Sequence, residues 1–271
     1  MVKPKELVVA IGGLGAIGRK VALALDAGIP GLRLGAVSAR DAARAAAFVA
    51  GLKQPVPVLP LGELGKAADI VLECAPAAVF RDVAVPALEQ GRTLVAISVG
   101  ALLSNADLKA LAERHGGRIV VPSGAMLGLD ALQAAAQGEI HSVTMKTRKP
   151  PAGLEGAPHL VKNNIRLDNL KEPLRVFEGT AREAVLGFPA NVNVAAAVSL
   201  AGIGPDRTRI EIWADPGEKK NVHSVHVVAD SAEFTVTIAG VPSENPKTGR
   251  ITALSVIAAL RKLTGPLVIG T

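Results

Sequence analysis

The sequence predicts an α/β protein in which a doubly wound parallel sheet is followed by a second α+β domain built on a largely antiparallel sheet. Up to about residue 122, short apolar runs alternate with helical patterns, which is typical of parallel strands covered by helices on both faces. From about residue 140, apolar and polar residues alternate, which is typical of strands with one wet face. The chain is 49% apolar with only 5 Phe, 1 Trp and no Tyr, so Ala, Val, Leu and Ile must build its core.

The first half is predicted to contain six strands separated by helices. The apolar runs that predict strands span residues 7–11, 32–37, 56–59, 69–75, 93–98 and 118–122. The alanine-rich segment 42–50 predicts one of the helices. Another is predicted over 105–115, with Ser104 or Asn105 as its N-cap and Gly116-Gly117 as its end.

The second half is predicted to contain four half-buried strands, over 140–147, 208–213, 224–228 and 233–238, with a covering helix over 191–200. The segment 149–170 is the most loop-like part of the chain. A final helix over 253–263, capped near Thr252, is expected to pack back on the first domain. We therefore expect a first domain over 1–124, completed by 245–271, and a second domain over 125–244.

The turn after the first strand has the spacing of a dinucleotide-binding loop, Gly13-x-Gly15-x-x-Gly18, and a helix follows it. Gly13 allows a tight turn, Gly15 allows the backbone to approach phosphates, and Gly18 allows the helix to pack closely on the strand. The pyrophosphate would then lie on the N–H groups of Ala16, Ile17 and Gly18 at the helix N-terminus. This context predicts a Rossmann-type domain that binds NAD or NADP.

The end of the second strand bears on the choice between the two coenzymes. In NAD-binding domains a carboxylate at this place holds the ribose 2′-hydroxyl, but here Ser38 occupies it and Arg40 follows. A hydroxyl and a guanidinium suit a 2′-phosphate, so we expect NADP to be accepted at least as readily as NAD. Two alternatives stay open: Asp41 could restore NAD use, or Arg40 could simply begin a solvated helix face.

Ligands bind at the carboxyl ends of the strands of a doubly wound sheet. The segments Ala75-Pro76, Ser98-Val99-Gly100 and Ser123-Gly124-Ala125 follow such strand ends and are expected in that crevice. Ser123 could donate a hydrogen bond to substrate or nicotinamide, or could equally cap a helix.

Charge and cysteine content restrict the partners and the compartment. The net charge of +6 arises from scattered basic residues without interleaved aromatic residues, so no nucleic-acid partner is expected. A single cysteine, Cys74, excludes an internal disulfide and a cysteine-cluster metal site; no metal is expected. The first strand follows six N-terminal residues and no apolar run has membrane-spanning length, so we expect a cytoplasmic protein without a membrane partner.

Five blocks distributed along the chain carry a family resemblance. They are residues 122–132 (PSGAMLGLDAL), 147–151 (TRKPP), 177–184 (FEGTAREA), 188–195 (FPANVNVA) and 214–216 with 221–223 (ADP and NVH). Together they closely resemble the L-aspartate dehydrogenase family. One departure is Leu127, where the family often has a glycine.

The resemblance implies hydride transfer from L-aspartate to NAD(P)+, giving iminoaspartate and then oxaloacetate and ammonia, or feeding NAD biosynthesis. It also implies a homodimer. His223 matches the family's active-site histidine, and Ala125 and the Asn191-Val192-Asn193 segment match its coenzyme contacts, with either Asn191 or Asn193 as the contacting residue.

The residues themselves are compatible with a catalytic His223. It follows a polar turn, where we expect an exposed imidazole that titrates near neutrality and accepts a proton from the substrate ammonium or delivers water to the imine. The alternative is a plain surface histidine. His226 is expected to face away, His141 to start a strand, His115 to end a helix, and His159 to lie in the loop.

A substrate with two carboxylates requires cationic partners. The candidates are Arg148, Lys149, Lys219 and Lys220, each of which could instead be a solvated surface residue. Two other functions stay open: a related reductase of the dihydrodipicolinate or homoserine type, and a nucleotide-sensing protein without turnover.

Overall fold

The computed structural model describes residues 6–189, 192–241 and 249–270. Contacts divide the chain into two units, Met1–Pro122 with Ala253–Val268, and Ser123–Thr252 with Ile269–Thr271. The first unit contains a five-stranded parallel sheet and the second a five-stranded mixed sheet. The predicted fold class is therefore confirmed.

The sheet of the first unit has the strand order β2-β1-β3-β4-β5, which is the arrangement of a doubly wound fold. Its strands are β1 (Leu7–Gly12), β2 (Leu32–Ser38), β3 (Ile70–Glu73), β4 (Thr93–Ala96) and β5 (Arg118–Val120). All four strands from β1 to β4 have three or more buried residues, because helices cover both faces of the sheet.

The helices of this unit are α1 (Ala16–Ala27), α2 (Ala42–Ala50), α3 (Leu64–Ala67), α4 (Phe80–Glu89), α5 (Val99–Leu103), α6 (Asp107–His115) and, from the end of the chain, α11 (Arg250–Lys262). Helix α11 belongs to this core, because Val256 and Leu260 are fully buried in the same apolar cluster as Val9 and Val21. The Thr264 hydroxyl also donates to the carbonyl oxygen of Pro30 at 2.9 Å.

Two predictions for the first unit were wrong. Segment 56–59 is not a strand: it makes a single bridge from Val58 to Val37, because Pro55, Pro57 and Pro60 lack the N–H donors that a ladder needs. Helix α6 begins two residues late, with Ala106 rather than Ser104 or Asn105 at the N-cap. Its predicted end is confirmed, because Gly116 has a left-handed φ of 67°.

The sheet of the second unit has the order β10-β9-β6-β8-β7, and only the β6–β8 pair is parallel. Its strands are β6 (Ile140–Lys149), β7 (Leu174–Thr180), β8 (Arg209–Ala214), β9 (Asn221–Ala229) and β10 (Glu233–Gly240). The four predicted strands are present. Strand β7 was missed, because a register shift between Arg175 and Phe177 breaks its alternation and buries the neighbours Val176 and Phe177 together.

The helices of the second unit are α7 (Leu129–Ala135), α8 (Pro158–Lys162), α9 (Ala181–Gly187) and α10 (Asn193–Ala201). Helix α8 and a 3₁₀ turn at Pro151–Gly153 lie within the segment predicted to be a loop. His159 is therefore helical, and its ring packs against Phe177 and Phe188 with ring centroids 5.2 and 5.3 Å away. Among the described residues, no helix has the length and apolarity needed to cross a bilayer.

One face of this second sheet is buried and changes from apolar to polar along its length. On β6, Val143 and Met145 are followed at the same face by Thr147 and Lys149, all four of which are buried.

Candidate functional site

The glycine loop between β1 and α1 has the backbone geometry that its spacing predicts. Gly13 adopts a φ of +109°, and a Cβ at this position would lie 2.5 Å from the carbonyl oxygen of Cys74. A Cβ on Gly18 would collide with the carbonyl oxygen of Gly13, so α1 packs directly on the loop. A hydrogen bond from the Gly13 N–H to the Ser38 carbonyl oxygen, 2.8 Å long, ties the loop to the end of β2.

The same loop fits a dinucleotide pyrophosphate. A Cβ on Gly15 would meet nothing within 4 Å, so the space in front of α1 is open. Gly15 and Ala16 are exposed, and no acidic residue lies in the first turn of the helix. Because the N–H groups of Ala16, Ile17 and Gly18 have no acceptor within the helix, they can donate to phosphate oxygens.

The end of β2 presents the two residues predicted to read the ribose. Ser38 is buried at the last position of β2, and Arg40 is exposed two residues later. The carboxylate of Asp41 accepts the backbone N–H of Arg44 at 2.9 Å and so caps α2. One oxygen of the Asp41 carboxylate is therefore engaged as a helix cap, whereas the Arg40 guanidinium is exposed at the end of this strand.

Ala75 lies beside the glycine loop, because its backbone nitrogen is 2.9 Å from where a Cβ of Gly13 would be. Glu73, two residues before Ala75, is fully buried at the end of β3, and its burial was not predicted from the sequence. Its carboxylate accepts the Ser98 N–H and hydroxyl at 2.9 and 3.0 Å and the Ile97 N–H at 3.2 Å. Burial raises the pKa of Glu73, although these hydrogen bonds oppose the shift.

In the second unit, His223 lies on β9 directly opposite Thr147 on β6. The Thr147 hydroxyl and the His223 Nδ1 are 3.1 Å apart, which is a hydrogen bond. Lys149, two residues after Thr147 on β6, and Asn221, two before His223 on β9, share this face and are buried as well. These four residues, Thr147, Lys149, Asn221 and His223, form what we call the polar cluster.

The expectation that His223 is exposed was wrong: the residue is only 3% exposed. Strand β9 begins at Asn221 and not after the histidine, so alternation turns residues 221, 223, 225 and 227 to the buried face. Burial, and then the positive charge of Lys149, lower the pKa of His223 to about 3. The imidazole is therefore neutral at neutral pH and does not titrate there, contrary to the prediction.

The four candidate cations do not have equivalent positions. Arg148 pairs with Asp215 across 3.0 Å and lies 5.3 Å from the ring centroid of Trp213, and Lys219 and Lys220 are exposed. Only Lys149 lies in the polar cluster, and burial lowers its pKa to about 8. Its place could have been found in the sequence, because Val143, Met145, Thr147 and Lys149 continue a single period-2 face.

The remaining predicted residues lie elsewhere in the second unit. Ser123 and Ala125 belong to a turn closed by a hydrogen bond from the Met126 N–H to the Ser123 carbonyl oxygen. Asn193 is exposed at the first position of α10, whereas Asn191 lies outside the described residues. His226 lies on the face of β9 opposite to His223 and contacts the Thr235 hydroxyl at 3.0 Å. Within the described ranges, no group of three or more His, Cys, Asp or Glu side chains could hold a metal ion.

Comparison with known proteins covers both units. Residues 130–263 match the family model described as aspartate dehydrogenase, C-terminal, and residues 13–122 match the one described as homoserine dehydrogenase, NAD binding domain. The structure of an aspartate dehydrogenase from Thermotoga maritima is similar, with a TM-score of 0.73 and 25% identity over 97% of this chain and 99% of that one.

Curated relatives are similar over almost the whole chain. An L-aspartate dehydrogenase from Bradyrhizobium diazoefficiens is 60% identical over 98% of this chain and 95% of its own. L-aspartate dehydrogenase 3 from Bordetella bronchiseptica is 54% identical over 98% of both chains. The resemblance found in five blocks of sequence is therefore confirmed, and the chain belongs to the L-aspartate dehydrogenase family.

Proposed function

We propose that this chain catalyses the NAD(P)-dependent oxidation of L-aspartate. In this reaction the Cα–H bond breaks, hydride leaves to the coenzyme, the ammonium loses a proton, and iminoaspartate forms; water then converts the imine to oxaloacetate and ammonia. The observation that carries the proposal is the full-length similarity to relatives named L-aspartate dehydrogenase. The glycine loop and the polar cluster supply the two kinds of group that such a reaction needs.

The bound coenzyme would supply the hydride acceptor. Gly13, Gly15 and the N–H groups of Ala16, Ile17 and Gly18 would hold its pyrophosphate, with Ala75 beside them. Ser38 and Arg40 would receive the ribose, with NADP accepted at least as readily as NAD, because Asp41 is engaged as a helix cap. Ala125 and either Asn191 or Asn193 would contact the nicotinamide end.

His223 would act as the general base that removes a proton from the substrate ammonium. For this role the imidazole must hold its proton on Nδ1 and donate it to the Thr147 hydroxyl oxygen, 3.1 Å away. The lone pair of Nε2 is then free to accept a proton. Thr147 is thereby a positioning residue, because its hydroxyl selects the tautomer.

The direct test measures absorbance at 340 nm with coenzyme and a panel of amino acids that includes aspartate, homoserine and alanine. Reduced coenzyme should form with L-aspartate, and His223→Ala should lower turnover by roughly 100-fold because proton transfer is lost. His226→Ala, on the opposite face of the same strand, is the matched control and should retain turnover.

The alternatives predict different results in this assay. Turnover of homoserine but not aspartate would identify a related dehydrogenase, and tight coenzyme binding without any turnover would identify a nucleotide sensor. Near-normal turnover by a folded His223→Ala variant would refute the catalytic assignment alone.

The proposal extends to assembly and location: a homodimer formed through the second unit, in the cytoplasm. This rests on the family resemblance. Sedimentation equilibrium should give twice the chain mass of 27.7 kDa, and the mass of a single chain would contradict it.

A further inference from the structure

The polar cluster contains a cation that the proposed reaction has not yet used. Lys149 is the last residue of β6 and lies two positions after Thr147, so both side chains are on the face that carries His223. It is 3% exposed, and its aliphatic stem passes over the 3₁₀ turn at Pro151–Gly153, with Cβ and Cδ 3.9 and 4.0 Å from where a Cβ of Gly153 would be.

The positive charge of Lys149 acts on the imidazole of His223. After burial, it is the second cause that lowers the pKa of His223. Two charged residues adjoin Lys149 along the chain or in space: Arg148 precedes it on β6, and Asp215, which follows β8, donates its N–H to the Lys149 carbonyl oxygen at 2.8 Å. The side chains of Arg148 and Asp215 pair with each other across 3.0 Å. Asn221 and Thr147, the other members of the cluster, are uncharged. Lys149 is therefore the charged residue of the cluster that can answer an anionic substrate.

We propose that Lys149 is a substrate-binding residue whose ammonium pairs with a carboxylate of aspartate beside the imidazole of His223. The inference rests on the proposed function and assigns one contact within it. It selects one residue from the four basic candidates, since Lys149 is the candidate on the buried face that carries His223, whereas Arg148 lies on the other face of β6 and Lys219 and Lys220 are exposed.

Electrostatics favours this role. A buried ammonium beside a buried imidazole is costly to desolvate, and a carboxylate that binds next to it offsets part of that cost. A carboxylate that reaches this ammonium away from water gains a strong attraction. Perturbed cations inside a polar cluster are typical of functional sites.

The pairing also couples substrate binding to the base. A carboxylate on Lys149 offsets the positive charge that lowers the pKa of His223, so the imidazole becomes more basic when aspartate is bound. The base would then gain strength in the complex in which it must accept a proton.

The experiment measures the dissociation constant of succinate, a dicarboxylate without an amino group, against pH by titration calorimetry in the presence of coenzyme, so that the readout does not require turnover. Succinate stays fully ionised from neutral to alkaline pH, so only the protein titrates. In the unmodified chain the constant should rise about tenfold per pH unit above about pH 8, because deprotonated Lys149 cannot pair with a carboxylate. In Lys149→Met the constant should be about 100-fold higher at neutral pH, which means weaker binding, and it should not change with pH.

Two further variants serve as controls. Lys146→Met removes the same charge from the opposite face of β6, where Lys146 pairs with Glu211 across 3.3 Å, and should leave the dissociation constant of succinate unchanged. Lys149→Arg keeps a charge that does not titrate below about pH 12 and should abolish the alkaline rise while retaining part of the affinity.

The outcomes separate this inference from the proposed function. If the chain oxidises aspartate but Lys149→Met binds succinate normally, the inference is wrong and the function stands. If aspartate is not oxidised while succinate binding still depends on Lys149 and pH, the anion site stands and the function is wrong.

Discussion

At the scale of single residues, burial changed what two side chains can do. Sequence context selected His223 as the catalytic candidate and expected it to be exposed, and it included Lys149 among four basic candidates, each of which could instead be a solvated surface residue. The structure buries both on one sheet face, where the pKa of His223 falls to about 3 and that of Lys149 to about 8. Their chemistry depends on a desolvated neighbour that is 74 residues distant in the sequence.

Arg40 is the residue whose role is most open to a kinetic test. If its guanidinium pairs with a ribose 2′-phosphate, Arg40→Ala should raise the KM for NADP about 10- to 100-fold and leave that for NAD nearly unchanged, because one charge-assisted contact is lost. Arg33→Ala, at the opposite end of β2, is the matched control. An unchanged NADP-to-NAD ratio would contradict the assignment.

At the scale of elements, the turn from β1 to α1 contains Gly15 and Gly18, and a side chain at each would have a different effect. Gly18 is required by packing, because a Cβ would collide with the Gly13 carbonyl oxygen, whereas a Cβ on Gly15 would enter open space. The same motif therefore contains one position fixed by packing and one that faces open space, as a bound pyrophosphate would require.

Alanine substitutions should separate these two positions. Gly18→Ala should lower the free energy of unfolding by about 1–3 kcal/mol, because the added methyl overpacks the turn. Gly15→Ala should fold normally but bind NADPH at least tenfold more weakly, since its methyl occupies the space that the pyrophosphate needs. Thermal unfolding measures the first effect and a fluorescence titration with NADPH the second. Unimpaired NADPH binding by Gly15→Ala would contradict the proposal that the pyrophosphate lies against the glycine loop.

Most elements could be predicted because periodicity is a local property. Alternating apolar and polar residues predicted β6, β8, β9 and β10. Continuous apolar runs predicted the strands of the first unit. The two failures have different causes. The register shift in β7 depends on its pairing with β8, which a local pattern does not contain. The prolines around 56–59 are visible in the sequence and remove N–H donors that a strand ladder needs.

At the scale of the whole molecule, the first unit is built from both ends of the chain. Residues 253–268 join Met1–Pro122, and Leu260 of α11 is fully buried in the core of that unit. Leu254 on the same helix is 50% exposed.

This arrangement predicts that the C-terminal helix α11 stabilises the first unit. Leu260→Ala should lower the free energy of unfolding by about 2–5 kcal/mol, because it leaves a cavity in a closed core. Leu254→Ala should change it by less than about 0.5 kcal/mol. Urea unfolding of the full chain, with and without NADPH, measures both; equal effects of the two substitutions would be inconsistent with this packing.

The sequence alone determined the fold class, the glycine loop and the family, because each is encoded in local spacing and residue type. Tertiary structure decided the electrostatics: it buried His223 opposite Thr147, put Lys149 on the same face, and engaged Asp41 as a helix cap. The physical reason is that a pKa depends on desolvation and on charges nearby in space, and strand pairing, not sequence distance, sets which groups are near.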